Sequence, residues 1–258
     1  MQEEIRHQIP NQLHAERIGR QLPEANADRS RNVEEIFTRH AYMSATIFIT
    51  VASFEIIILS QWIQKNGNIV MLGFIFTLSS VGPFTLLCLA PKLRRILWVS
   101  WTLYSLFVEL SVLGVTMAIV DHPIHQTGFS VIGAVALLMV LCILGAKLPR
   151  KVLPGEICIF VSIVLFGLAS IVMMGLCISV TQMKLNRVFL PFLACFQIVV
   201  CLYHVQLIHG RQFRLPEYDY IYGGTFLYLN FLLFFVDILI TIWHTHYHLV
   251  AKEMGEYI

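Results

Sequence analysis

The sequence predicts an all-α fold, a membrane bundle of seven transmembrane helices with its N-terminus in the cytosol and its C-terminus lumenal or extracellular. Three observations predict it. Of the 258 residues, 57% are hydrophobic and only 13% are charged, against about 25% charged in a soluble domain. The apolar residues fall in long blocks, and roughly 20 of them carry a helix across the hydrocarbon core. Lysine and arginine gather between alternate blocks, the pattern that orients short-looped membrane proteins.

Residues 1–40 form a polar tail with six arginines and seven acidic residues, expected to be flexible and cytosolic. Within it, Val33–His40 is where a helix running into the membrane would start. A seven-helix domain follows over 41–248, with spans expected at about 41–63, 68–90, 96–120, 127–146, 155–180, 187–209 and 220–243. Gly67, Pro91, Pro123, Pro149, Pro154 and Pro216 break the helical pattern between spans. Residues 249–258 are expected as a short C-terminal tail. No apolar h-region precedes the first span, so that span is expected to act as its own insertion signal.

The tail and the second, fourth and sixth loops hold 14 of the 18 lysines and arginines. Lys92-Leu-Arg94-Arg95 and Lys147-Leu-Pro-Arg150-Lys151 are the strongest markers of the cytosolic side. A net charge of +2 with no basic stripe argues against a nucleic-acid partner. The expected surroundings are the lipid bilayer and other membrane proteins. Cys88, Cys142, Cys158, Cys177, Cys195 and Cys201 all fall inside or beside apolar blocks, as packing residues do.

Charge inside a membrane is costly, about 3 kcal/mol at the helix centre on insertion scales. Three carboxylates stand out: Glu55 in the first span, Glu109 in the third and Asp237 in the seventh. His204 lies in the sixth span and Asn230 in the seventh. Asn230 and Asp237 are seven apart and share a helix face. An interior lined by Glu109, His204, Asn230 and Asp237 would let these groups meet one another or water. Such a cluster serves either a cation or proton path or a polar contact that fixes helix packing. The second and fourth spans hold no ionisable residue and read as lipid-facing or packing elements.

His244-Thr-His246-Tyr-His248 follows the seventh span. If the helix continues, His244 and His248 sit at i,i+4, the spacing of a two-histidine zinc site, with Asp121, His122 and His125 on the same side. The competing expectation is a set of interfacial side chains beside Trp243 and Tyr247. A seven-helix zinc hydrolase of the adiponectin-receptor kind needs its histidine pair near the cytosol and another histidine on an early span. This sequence has neither, so no enzyme activity and no resident cofactor are expected.

Residues 203–235 read Tyr-His-Val-Gln-Leu-Ile-His-Gly, then Pro-Glu-Tyr-Asp-Tyr, then Leu-Tyr-Leu-Asn-Phe-Leu-Leu-Phe-Phe. This resembles the signature of the transmembrane Bax-inhibitor motif family, the lifeguard proteins. Cys88-Leu-Ala-Pro-Lys-Leu-Arg94-Arg95 resembles that family's basic stretch between the second and third helices. The resemblance implies a bundle around a central seventh helix, calcium leak across endoplasmic reticulum or Golgi membranes, and regulation of apoptosis. It also implies that two positions on the sixth and seventh helices form a proton-sensitive aspartate pair. Here those positions hold His204 and Asn230, which carry no negative charge. Divergent proteins of this kind include the multi-copy seven-helix proteins of cytomegaloviruses, which act on host membrane proteins.

Two functional expectations follow. One is a cation leak with calcium as the permeant ion, in which Asp237 and Glu109 replace the lost charge. The other is a non-conducting adaptor that controls trafficking or turnover of other membrane proteins. A seven-helix receptor is disfavoured, because there is no D-R-Y-like sequence after the third span and no N-P-x-x-Y in the seventh.

Overall fold

The computed structural model describes residues 33–63, 67–120, 122–149, 161, 183–210 and 215–253. Among them every regular element is helical. In chain order these are α1 (Val33–Trp62), α2 (Gly67–Leu89), the four-residue α3 (Pro91–Arg94), α4 (Leu97–Ala118), α5 (Ile124–Lys147), α6 (Met183–Ile208), a 3₁₀ turn (Glu217–Asp219) and α7 (Tyr220–Glu253). Six of these helices are long and apolar enough to cross a membrane. They coincide with the expected first, second, third, fourth, sixth and seventh spans. Of the fifth expected span, 155–180, only residue 161 is among the described residues, and Cys158 and Cys177 lie outside them.

The helix ends follow local chemistry. Pro91 opens α3, Pro123 caps α5 and Pro216 precedes the 3₁₀ turn, each at a place where a missing N–H costs nothing. α6 closes at Gly210, which takes φ 59° and donates its N–H to the Leu207 carbonyl. Only glycine reaches that left-handed conformation freely. α1 begins at Val33, so the last residues of the polar tail are helical. α7 runs ten residues past Trp243 to Glu253, into the segment expected as a tail. At 34 residues it is about 51 Å long, well beyond the roughly 30 Å hydrocarbon core.

α7 is the axis of the bundle. Of its spanning segment 56% is buried, against 11% for α2. Phe231, Leu232, Phe234, Phe235 and Leu239 are all buried, and of that stretch only Leu233 is exposed, so most of its circumference faces other helices. α5 and α6 pack on α7 and on each other, and α4 also touches it. α2 packs on α4 and shows Met71, Phe74, Leu78 and Leu89 to the surroundings. The expectation of a lipid-facing element thus describes α2, while α5 is a packing helix.

Between helices in lipid the hydrophobic effect is weak, and close van der Waals fit takes over. Two glycine seams provide it. A Cβ on Gly73 would lie 2.8 Å from the Gly114 carbonyl oxygen, so α2 and α4 meet backbone to backbone. A Cβ on Gly224 would lie 2.7 Å from the Ala41 oxygen and against Ser44, so α7 and α1 meet the same way.

One end of the bundle is tied by polar contacts. Thr38 donates to the Ile208 carbonyl at 3.3 Å, Tyr42 meets His209 Nε2 at 3.2 Å, and Gln206 donates to the Leu148 carbonyl at 3.1 Å. Arg94 and Asp219 pair at 3.1 Å at the same end. The start of α1, the ends of α5 and α6, and the start of α7 therefore share one face. It is the face that the lysine and arginine bias assigns to the cytosol.

Candidate functional site

The polar residues picked out inside the spans occupy three places. The first joins α6 and α7. Asn230 Nδ2 lies 2.9 Å from His204 Nδ1 and 2.8 Å from the Phe226 carbonyl oxygen. The carbonyl can only accept, which fixes the amide nitrogen on that side. The second amide hydrogen then points at His204 Nδ1, which accepts it, and the imidazole carries its proton on Nε2. The ring stacks on Phe226 with centroids 4.4 Å apart and planes 9° apart. Both side chains are buried. The arrangement is a closed, neutral hydrogen bond.

The second place joins α1 and α4. Phe48 packs on Trp101 with ring centroids 5.5 Å apart. Glu55 follows seven residues further along α1 and Glu109 eight residues further along α4. The two helices run the same way, so the carboxyl groups reach one depth and lie within electrostatic range of each other. Two carboxylates only accept, so a hydrogen bond between them would require a proton on one. Tyr228 of α7 lies beside the pair. Its hydroxyl is 2.6 Å from Ser111 Oγ and 3.3 Å from the Val108 carbonyl oxygen, to which Ser111 also approaches at 2.8 Å. One of the two hydroxyls donates to the carbonyl and the other donates to its neighbour.

The third place is Asp237, two turns beyond Asn230 and about 10 Å away along the axis. It is buried, and its Oδ1 has no hydrogen-bond partner among the described residues. The interior expected to join Glu109, His204, Asn230 and Asp237 is thus divided. Only His204 and Asn230 meet, and Glu109 pairs with Glu55. The reason is helical geometry. Tyr228 and Asn230 are two residues apart, about 200° around α7, so one faces α1 and α4 while the other faces α6.

At the far end, α7 continues as a helix through His244 and His248, which satisfies the backbone condition for i,i+4 spacing. The side chains of both lie outside the described residues. The His122 ring packs on Trp243 at 5.7 Å, which puts the α4–α5 turn beside this end of α7. Among the described residues no group of three or more His, Cys, Asp or Glu converges as a metal-ligand set.

A fourth place was not picked out from the sequence. Arg94 pairs with Asp219 and lies 4.6 Å over the Tyr222 ring, and Arg95 lies 5.5 Å over Tyr218. Tyr222 also meets Cys88 Sγ at 3.9 Å. Burial pushes the Asp219 carboxyl above its ordinary range, while Arg94 and Arg95 pull it down. The signal was present. Both motifs of the family resemblance, Lys-Leu-Arg-Arg and Pro-Glu-Tyr-Asp-Tyr, carry opposite charge in loops assigned to one side.

The chain matches no protein-family model, and comparison with curated proteins and with solved structures finds no match. The fold and the contacts define its class on their own. Its described residues are those of an all-helical, multi-pass protein, with six helices, α7 at their centre, long and apolar enough to cross a membrane.

Proposed function

We propose that the chain is a seven-crossing membrane protein of the lifeguard type, residing in the endoplasmic reticulum or Golgi, that modulates cell death or the turnover of other membrane proteins without conducting calcium through its sixth and seventh helices. The observation that carries this reading is the His204–Asn230 contact. The two positions aligned with the family's aspartate pair do touch, at 2.9 Å, yet neither side chain offers a charge. Calcium binds through several oxygen ligands, mainly carboxylates and carbonyls. An imidazole nitrogen bonded to an amide N–H offers none.

Seven crossings are supported by parity. α5 and α6 both end at the cytosol-assigned face, where Gln206 bonds to Leu148. α6 must then start at the opposite face, and an odd number of crossings separates the two helices. The apolar stretch 155–180 is the one candidate for that crossing.

The test is calcium flux into liposomes holding the purified full chain, across about pH 5 to 8, the range in which histidine titrates. The expected result is flux no greater than in empty liposomes, with flux gained in the double variant His204→Asp, Asn230→Asp. Flux in the unmodified protein would sink the non-conducting reading. It would favour the second one, a leak that uses Asp237, whose unpartnered buried oxygen is the specific observation in its favour. Loss of that flux in Asp237→Asn would then establish the route.

A further inference from the structure

Three buried polar atoms without a partner among the described residues lie on neighbouring side chains near the cytosol-assigned end. They are Arg94 Nε on α3, Asp219 Oδ1 at the start of α7 and the Tyr104 hydroxyl on α4. Asp219 is 3% exposed and Tyr104 is 0% exposed. Each would lose its water on folding, and a stranded buried donor or acceptor costs about 1–3 kcal/mol. Of the eleven such atoms among the described residues, these three belong to side chains that lie together, so a single partner can serve all of them.

Their proximity is independently fixed. Arg94 Nη1 holds Asp219 Oδ2 at 3.1 Å, so the orphan Nε and the orphan Oδ1 belong to the two side chains of one ion pair. The Arg94 guanidinium covers Tyr222 at 4.6 Å, and Tyr222 lies 6.4 Å from Tyr104, ring to ring. The Tyr104 hydroxyl is within electrostatic reach of both Arg94 and Asp219.

The chemistry of the three atoms selects the partner. Arg94 Nε only donates, Asp219 Oδ1 as a carboxylate only accepts, and a phenol does either. A ligand that satisfies all three must accept one bond, donate one, and do either for the third. A metal cation would meet the two guanidinium groups of Arg94 and Arg95. An anion would meet the carboxylate of Asp219. A neutral molecule that both donates and accepts, such as water, meets every condition.

We infer that Arg94, Asp219 and Tyr104 form a binding site for an internal water molecule that bridges α3, α4 and α7. The Arg94 side chain is 15% exposed, so the site fills from the interfacial side of that residue. The water joins the α2–α4 pair, held to each other by the Gly73–Gly114 seam, to the central helix. Buried waters of this kind make about three hydrogen bonds and are costly to remove.

Radiolytic footprinting of the purified full chain in nanodiscs tests the inference, because a bound water generates hydroxyl radicals where it sits. Tyr104 should oxidise several-fold faster than Tyr228, which is equally buried but bonded to Ser111. Equal rates would overturn the site. A second readout is the melting temperature of Tyr104→Phe. A bridged hydroxyl predicts a fall of a few degrees, whereas a hydroxyl with no partner predicts no change or a rise, which also overturns the inference. Should the variant not fold, the labelling of the unmodified protein decides.

Discussion

Asn230 and His204 hold each other by one hydrogen bond in which the amide gives and the imidazole takes. Neither side chain has a charged alternative nearby, and both are buried. Asn230→Leu would strand the imidazole nitrogen and should destabilise the bundle by about 1–2 kcal/mol. Adding His204→Phe to that variant should recover most of the loss, because both polar partners are then gone. Denaturant titration in detergent of the two single variants and the double variant measures the coupling. A coupling energy of zero would show that the contact contributes nothing.

The α1–α7 seam predicts a sharp contrast between two glycines. Gly224→Val would drive its side chain into the Ala41 carbonyl and Ser44, with a loss of about 1–3 kcal/mol or failure to fold. Gly82→Ala meets nothing within 4 Å and should be neutral or slightly stabilising through helix propensity, by about 1 kcal/mol at most. Monodispersity on gel filtration and midpoint of thermal unfolding separate the two.

The Arg94–Asp219 pair predicts a pH dependence with a definite sign. Burial raises the Asp219 carboxyl above its ordinary 3.8, in spite of Arg94 and Arg95. The folded protein then holds this proton more tightly than the unfolded chain does. Stability from this group is full below about 3.8 and declines as pH rises through the raised value. Asp219→Asn should remove that part of the slope. At neutral pH, Arg94→Gln should cost about 3 kcal/mol, because it leaves a carboxylate that is only 2% exposed without its partner. Unfolding midpoints of the three proteins across a pH series check both statements.

Seven crossings predict opposite fates for two introduced glycosylation acceptors. The natural sequence has no N-x-S/T site, so any glycan reports the insertion. An acceptor placed after Glu253 should be glycosylated in microsomes, and one placed within residues 1–32 should not. A glycan at both ends or at neither would mean an even number of crossings.

The hydropathy blocks placed the described spans to within a few residues except at the start of α1, which begins eight residues before the expected 41, because lipid leaves a helix no choice but to satisfy its own backbone. They were silent on where α7 stops. Beyond Trp243 the segment is polar, and helix continuity there depends on propensity alone. The His204–Asn230 contact is the one part of the expected four-residue polar interior that forms. The Glu55–Glu109 pair was not foreseen, because depth depends on the offset between two helices. Here the Phe48–Trp101 packing sets that offset. Arg94 and Asp219 were missed for another reason. Loop charges were read as orientation markers, and the question of which loops touch one another was left unasked.

α7 has one more consequence. No proline interrupts its 34 residues, and its two ends are held differently. Its first turns are clamped by Gly224 on α1 and by Asp219 under Arg94, while its last ten residues run on past the spanning segment. A rod so built conducts displacement lengthwise. A push or a twist on that overhang is passed along one unbroken backbone to the Arg94–Asp219 clamp at the other end. The two ends of the bundle are thereby joined through a single piece of backbone.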